Sequence, residues 1–232
     1  MEISLNGGII IIGSLYWDDN VQRVNWRNES LDLENQILVK VPIRYGRISK
    51  ERENTFSMVF SSECKNADLL GNAIFAPFKK NPVDYQSLEI EISEIIKSEQ
   101  KREILKNTYN NWLWGTLGIL INPKSEKIDE LNFLLSWWKD KYSKKFSYYD
   151  YKVGNEPTVI NKSGVFQFEW PENLNNFDFI IATATKPEVE EYPESEEIIN
   201  RIIENKHFEY YLKNITNGIT TFQDTDISQK IK

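Results

Sequence analysis

A chain of 232 residues with 40% apolar and 27% charged side chains falls in the ordinary globular range, and it sets the expectation of one domain spanning residues 1–232 around one sizeable core. Its formal charge of −7 repels phosphate backbones and anionic lipid on average, which removes the main driving term for nonspecific nucleic-acid or membrane binding. The single cysteine, Cys64, allows no internal disulfide, no secretory leader pattern is seen, and the longest apolar run is far short of the roughly 20 residues of a membrane span, so the chain reads as cytoplasmic.

Residues 9–12 are four consecutive isoleucines, apolar on both faces, which predicts a central strand covered on both sides and ended by Gly13 and Ser14. Residues 37–48 alternate, with Ile37, Val39, Val41, Ile43 and Tyr45 on one face, and predict a half-buried strand in which Pro42 marks an edge or bulge. Residues 55–60, 72–78 and 113–121 read as further strands. Between the last two, Leu88, Ile92, Ile95, Ile96 and Leu105 recur at helical spacing over residues 84–106. A second helix is expected over residues 128–142, with Leu131, Leu134, Leu135 and Trp138 on one face, and then a polar, tyrosine-rich connection over residues 140–151. Short strands are expected at 165–168 and 177–183. Pro193 with Glu194, Glu196 and Glu197 opens a C-terminal helical extension carrying Ile198, Ile199, Ile202 and Ile203. Interleaved strands and helices make the fold class α+β.

Missing residues exclude several chemistries. One histidine and one cysteine supply no zinc-ligand set, nothing places His207 beside Cys64 as a base and nucleophile, and no Walker or Rossmann glycine pattern is present. No metal and no cofactor is indicated. The aromatic pairs Trp112/Trp114 and Trp137/Trp138 read as core rather than pocket lining, and Thr221, Asp224 and Asp226 as a helix or turn cap rather than a cation site.

The strand that breaks at Gly13 and Ser14 can expose several backbone N–H groups at one spot, where a small side chain lets a carboxylate approach; the plainer reading is an ordinary strand-ending turn. The segment Gly13-Ser14-Leu15-Tyr16-Trp17-Asp18 resembles the Gly-Ser-Leu-x-Trp opening of gamma-glutamylcyclotransferase-like proteins, particularly the ChaC branch. Val41-Pro42-Ile43-Arg44-Tyr45-Gly46-Arg47 with residues 55–60 is similar to that family's next strand pair. Residues 71–78 with the following helix resemble its strand before the catalytic acid, and Tyr192-Pro193 leading to Asn217-Gly218-Ile219 resembles its ending. The resemblance implies a mixed β-barrel of six to seven strands with flanking helices. It also implies a small-molecule substrate, a γ-glutamyl amine or amide, whose own α-amine attacks the γ-carbonyl and releases 5-oxoproline.

Such a reaction asks for a partly desolvated carboxylate that takes a proton from the ammonium and gives one to the leaving amine. The resemblance assigns this role to Glu99, with Glu91 and Glu94 as alternates, and substrate binding to Gly13, Ser14, Leu15, Tyr16 and Arg44. The family commonly has tyrosine before Gly-Ser, where this chain has Ile12; Tyr16 or one of Tyr148, Tyr149 and Tyr151 would have to replace it. A pocket that keeps its ligand and has lost the reaction is the alternative. Strand alternation allows at most one of Arg44 and Arg47 to face a given pocket.

Overall fold

The computed structural model of the chain describes residues 3–100, 114–142 and 147–231. At its centre lies β1 (Gly7–Ile11), where the isoleucine run begun at Ile9 is buried throughout. On one side β1 pairs antiparallel with β5 (Gly71–Pro77), and on the other it pairs parallel with β7 (Phe179–Thr185). The sheet is completed by β2 (Ile37–Val41) beyond β5 and β6 (Gly115–Ile121) beyond β7, in the order β2-β5-β1-β7-β6.

Successive side chains of a strand leave opposite faces, so an all-apolar strand requires cover above and below. Ile9 and Ile11 pack under α1 (Val21–Ser30), α2 (Tyr85–Gln100) and α3 (Ile128–Tyr142), against Trp26, Leu88, Ile95 and Trp138. Ile10 faces the opposite layer. There the hairpin of β3 (Ile43–Ser49) and β4 (Thr55–Phe60) packs with α4 (Ser195–Asn205), α5 (Glu209–Thr216) and α6 (Asp224–Lys230) through Tyr45, Phe56, Ile202, Tyr211 and Ile227. The expected C-terminal extension is thus half of one core layer.

Mixed α+β architecture agrees with the sequence, but the barrel implied by the resemblance does not close among the described residues. The predicted strand over 37–48 is two strands, because Pro42 has no N–H to continue the ladder and the chain leaves the five-stranded sheet there. Its inward alternation survives the break, and Val39, Val41, Ile43 and Tyr45 share one core. Beyond their own pairing, β3 and β4 reach the β7 end of the sheet through an isolated bridge, where the Glu188 amide donates to Gly46 O at 3.0 Å.

Two other strands differ from expectation. Residues 165–168 form only isolated bridges, Val165 to Ile119 and Phe166 to Ile160, since the run is too short to extend a ladder. The strand expected at 177–183 begins two residues later, because Asp178 is occupied in a turn: its carboxylate accepts from the Asn6 amide at 2.8 Å and from Ser125 Oγ at 2.7 Å. Leu105, Lys106, Trp112 and Leu113 lie outside the described residues.

The Asp224 carboxylate accepts from the Thr221 amide at 2.5 Å and Thr221 Oγ1 accepts from the Gln223 amide at 3.2 Å, which closes the turn leading into α6, the turn-capping role the sequence offers for these residues. The amphipathic face of α4 buries Ile198, Ile199 and Ile202 and leaves Ile203 outside. Truncating Ile202, which is fully enclosed, to alanine is expected to cost about 2–5 kcal/mol of stability. Urea denaturation measures it, and a loss below about 1 kcal/mol would mean that α4 is not part of the cooperative core.

Candidate functional site

The end of β1 is a single tight turn. The Tyr16 amide donates to Gly13 O at 3.0 Å and the Asp18 amide to Ser14 O at 2.8 Å, which curls residues 14–18 back on themselves. Among the described residues the amides of Ser14 and Leu15 donate no hydrogen bond, as expected at the start of such a turn. Gly13 is required by packing: a Cβ there would lie 2.8 Å from the Tyr210 hydroxyl. Arg27 fixes the turn from behind, donating to Leu15 O and Asp18 O at 2.8 Å each. Burial, followed by the neighbouring Arg23, lowers the Arg27 guanidinium from its ordinary pKa.

Arg23 ties this turn to the opposite wall. Its Nη1 donates to Ser14 Oγ and to Asp18 at 3.0 Å each, its Nε donates to Ser98 O at 3.2 Å, and its Nη2 lies 3.4 Å from Glu99 Oε2. From the third side Arg52, on the turn between β3 and β4, donates to Ser14 Oγ at 2.5 Å and to Ser49 Oγ at 3.1 Å. Its guanidinium rests over the Tyr210 ring, 4.4 Å from the centroid. Two guanidinium groups therefore converge on one serine hydroxyl and leave its own proton available to a ligand.

These residues line one cavity of about 480 Å³. Its apolar side comes from Ile10, Ile12, Leu15, Met58 and Trp114. Five basic residues, Arg23, Arg47, Lys50, Arg52 and Lys186, share its walls with three acidic ones, Glu51, Glu99 and Glu188. In a chain of charge −7 this is a local reversal of sign, and a cavity surrounded by low-dielectric walls concentrates it.

Of the residues singled out from the sequence, Gly13, Ser14, Leu15 and Glu99 come together in this cavity. The others do not. Arg44 stays outside the cavity, pairs with Glu63 at 3.0 Å and lies over Tyr192, whereas Arg47 lines it. The bulge between Tyr45 and Arg47 sets the two arginines opposite Val59 and Ser57, on one face of the hairpin, so position along the strand and not alternation separates them. Tyr16 turns outward and donates to Gln36 Oε1 at 2.8 Å. Glu94 pairs with Lys97 at 2.7 Å on the outer face of α2. Tyr148 and Tyr149 stack on each other, and Tyr151 is buried in the core. Trp114, expected in the core, lines the cavity. Neither Cys64 nor His207 reaches it, and among the described residues no group of His, Cys, Asp and Glu is placed to hold a metal ion. No helix among them is long and apolar enough to cross a membrane.

Glu91 is buried away from the cavity with its Oε2 unpartnered, and burial raises its pKa despite a hydrogen bond to Ser30 and the charge of Lys80. An acid whose folded-state pKa is raised contributes stability that is present below its unfolded pKa and lost as pH rises through the folded one. Glu91→Met should therefore flatten the stability profile above the ordinary glutamate value of 4.5, with a gain of about 1 kcal/mol at pH 8 and none at pH 4. Paired urea titrations at the two pH values check this, and an equal change at both would contradict it.

Arg23, Arg52 and Tyr210 also line the cavity, and apolar patterning in the sequence does not mark them. Helix α1, which carries Arg23, has almost no apolar periodicity because its inward positions include Arg23, Arg27 and Ser30 beside Trp26. The only local signal was Asn20, whose side chain caps the helix by accepting from the Gln22 amide at 3.1 Å.

No protein-family model matches the chain, nor does any curated protein or solved structure. Fold and site define a class by their own geometry: a mixed α+β protein with a basic, partly apolar cavity where its central parallel-antiparallel strand ends.

Proposed function

We propose that the cavity binds an amino-acid-like γ-glutamyl amine or amide and that Glu99 serves its intramolecular cyclisation to 5-oxoproline. The observation that carries this reading is the meeting of the Gly13-Ser14-Leu15 turn and the Glu99 carboxylate in one cavity, joined through Arg23. In the reaction the α-nitrogen bonds to the γ-carbonyl carbon, closing a five-membered ring, and the bond from that carbon to the leaving nitrogen breaks. Glu99 takes a proton from the α-ammonium and returns it to the leaving amine. The unpartnered Ser14 and Leu15 amides and the Ser14 hydroxyl suit the α-carboxylate, and the apolar side of the cavity suits the methylene chain. Incubation with a panel of γ-glutamyl peptides and amines, followed by detection of 5-oxoproline, tests the proposal. A folded protein that releases none from any member loses this assignment.

Ligand binding without turnover is the second reading, and two observations favour it. Glu99 already has a guanidinium neighbour at 3.4 Å, and residue 12 is isoleucine where the resemblance calls for tyrosine. The cavity tyrosine is instead Tyr210, whose hydroxyl accepts from the Met58 amide at 3.3 Å. A rise in melting temperature with γ-glutamyl ligands and no product would select this reading.

A further inference from the structure

The cavity contains a cation that the cyclisation chemistry does not use. Arg23 is balanced by Asp18 and Glu99, Arg47 by Glu188 at 2.9 Å, and Lys186 by Asp150 at 3.0 Å. Arg52 forms no ion pair among the described residues. Its polar partners are the hydroxyls of Ser14 and Ser49, both neutral, and its remaining contact is the face of Tyr210. Lys50 stands two positions earlier on the same turn, lines the same cavity and likewise has no acidic partner among the described residues.

We propose that this wall of the cavity is a subsite for a tetrahedral dianion of the phosphate-monoester class. Lys50 and Arg52 bring two positive charges to this turn against the one of Glu51 between them, and neither is engaged in an ion pair among the described residues, which suits an arriving anion of more than one charge. The donors point the same way. The Arg52 guanidinium, the Lys50 ammonium and the hydroxyls of Ser14 and Ser49 would use every acceptor site of a carboxylate, all held in one plane, whereas three phosphate oxygens in a tetrahedron take them with sites to spare. Ser14 Oγ now occupies a guanidinium donor, and an arriving oxygen takes its place while the hydroxyl turns to donate. The site concerns Arg52 and Lys50, so it stands whether or not Glu99 moves a proton.

The test is isothermal titration calorimetry of the full chain with inorganic phosphate, and in parallel with acetate, at pH 7.5 and constant ionic strength set by chloride. Saturable phosphate binding at least about tenfold tighter than acetate is expected. Arg52→Gln should weaken it by about tenfold or more and Lys50→Gln by several-fold, with melting temperatures close to that of the parent protein. Glu99→Gln should leave phosphate affinity intact, which separates this subsite from the cyclotransferase reading: 5-oxoproline release can fail while phosphate still binds. The proposal is overturned by the absence of saturable binding, by equal affinity for acetate, or by unchanged phosphate affinity in a folded Arg52→Gln protein.

Discussion

Glu99→Gln is expected to abolish 5-oxoproline release, by about 10²–10⁴-fold in kcat, while the protein stays folded and KM changes little. Glutamine has the same length and can still accept from Arg23, which lies 3.4 Å away, so the walls of the cavity keep their shape. What it lacks is a proton acceptor. The cyclisation needs one group that removes a proton from an ammonium and later supplies one to an amine, and no other carboxylate is equally placed. Glu51 and Glu188 also line the cavity, but Glu188 is engaged with Arg47, and neither is joined to the Ser14 turn through Arg23 as Glu99 is. A variant with the parental rate would remove Glu99 from the reaction. If ligand affinity were unchanged as well, its place in the cavity would be structural.

The parts of the molecule that were legible in the sequence are those written in apolar periodicity. The isoleucine run gave β1 its central place because a strand apolar on both faces can be satisfied only between two layers, and the spacing of Leu88, Ile92 and Ile95 gave α2 its buried face. That same face brings Glu99 inward, seven residues beyond Ile92 and therefore two helical turns along the same stripe. The arginines were not legible. Helix α1 turns guanidinium groups toward the interior, which apolar periodicity scores as a solvated face, and those groups are stable there only because backbone carbonyls and carboxylates from distant segments meet them. Arg44 and Arg47 show a different limit. Strict alternation would set them on opposite faces, but the bulge between Tyr45 and Arg47, which depends on how β3 pairs with β4, cancels it, and of the two only Arg47 lines the cavity.

Arg23→Met is expected to cost about 3–5 kcal/mol of stability, because it takes from the carboxylates of Glu99 and Asp18 the guanidinium that both contact. The Arg23 side chain is 5% exposed and that of Glu99 6%, so water cannot replace the guanidinium without opening the site. A double variant isolates the cause. In the parent protein Glu99→Gln changes stability little, but in the Arg23→Met background the same substitution should restore about 1–3 kcal/mol, because it removes a buried charge that has lost its Arg23 cation. This change in the effect of Glu99→Gln distinguishes electrostatic coupling from packing, which would make the two losses simply add. Urea denaturation of the four proteins closes the cycle, and additive effects would show that Arg23 holds the Ser14 turn without holding Glu99.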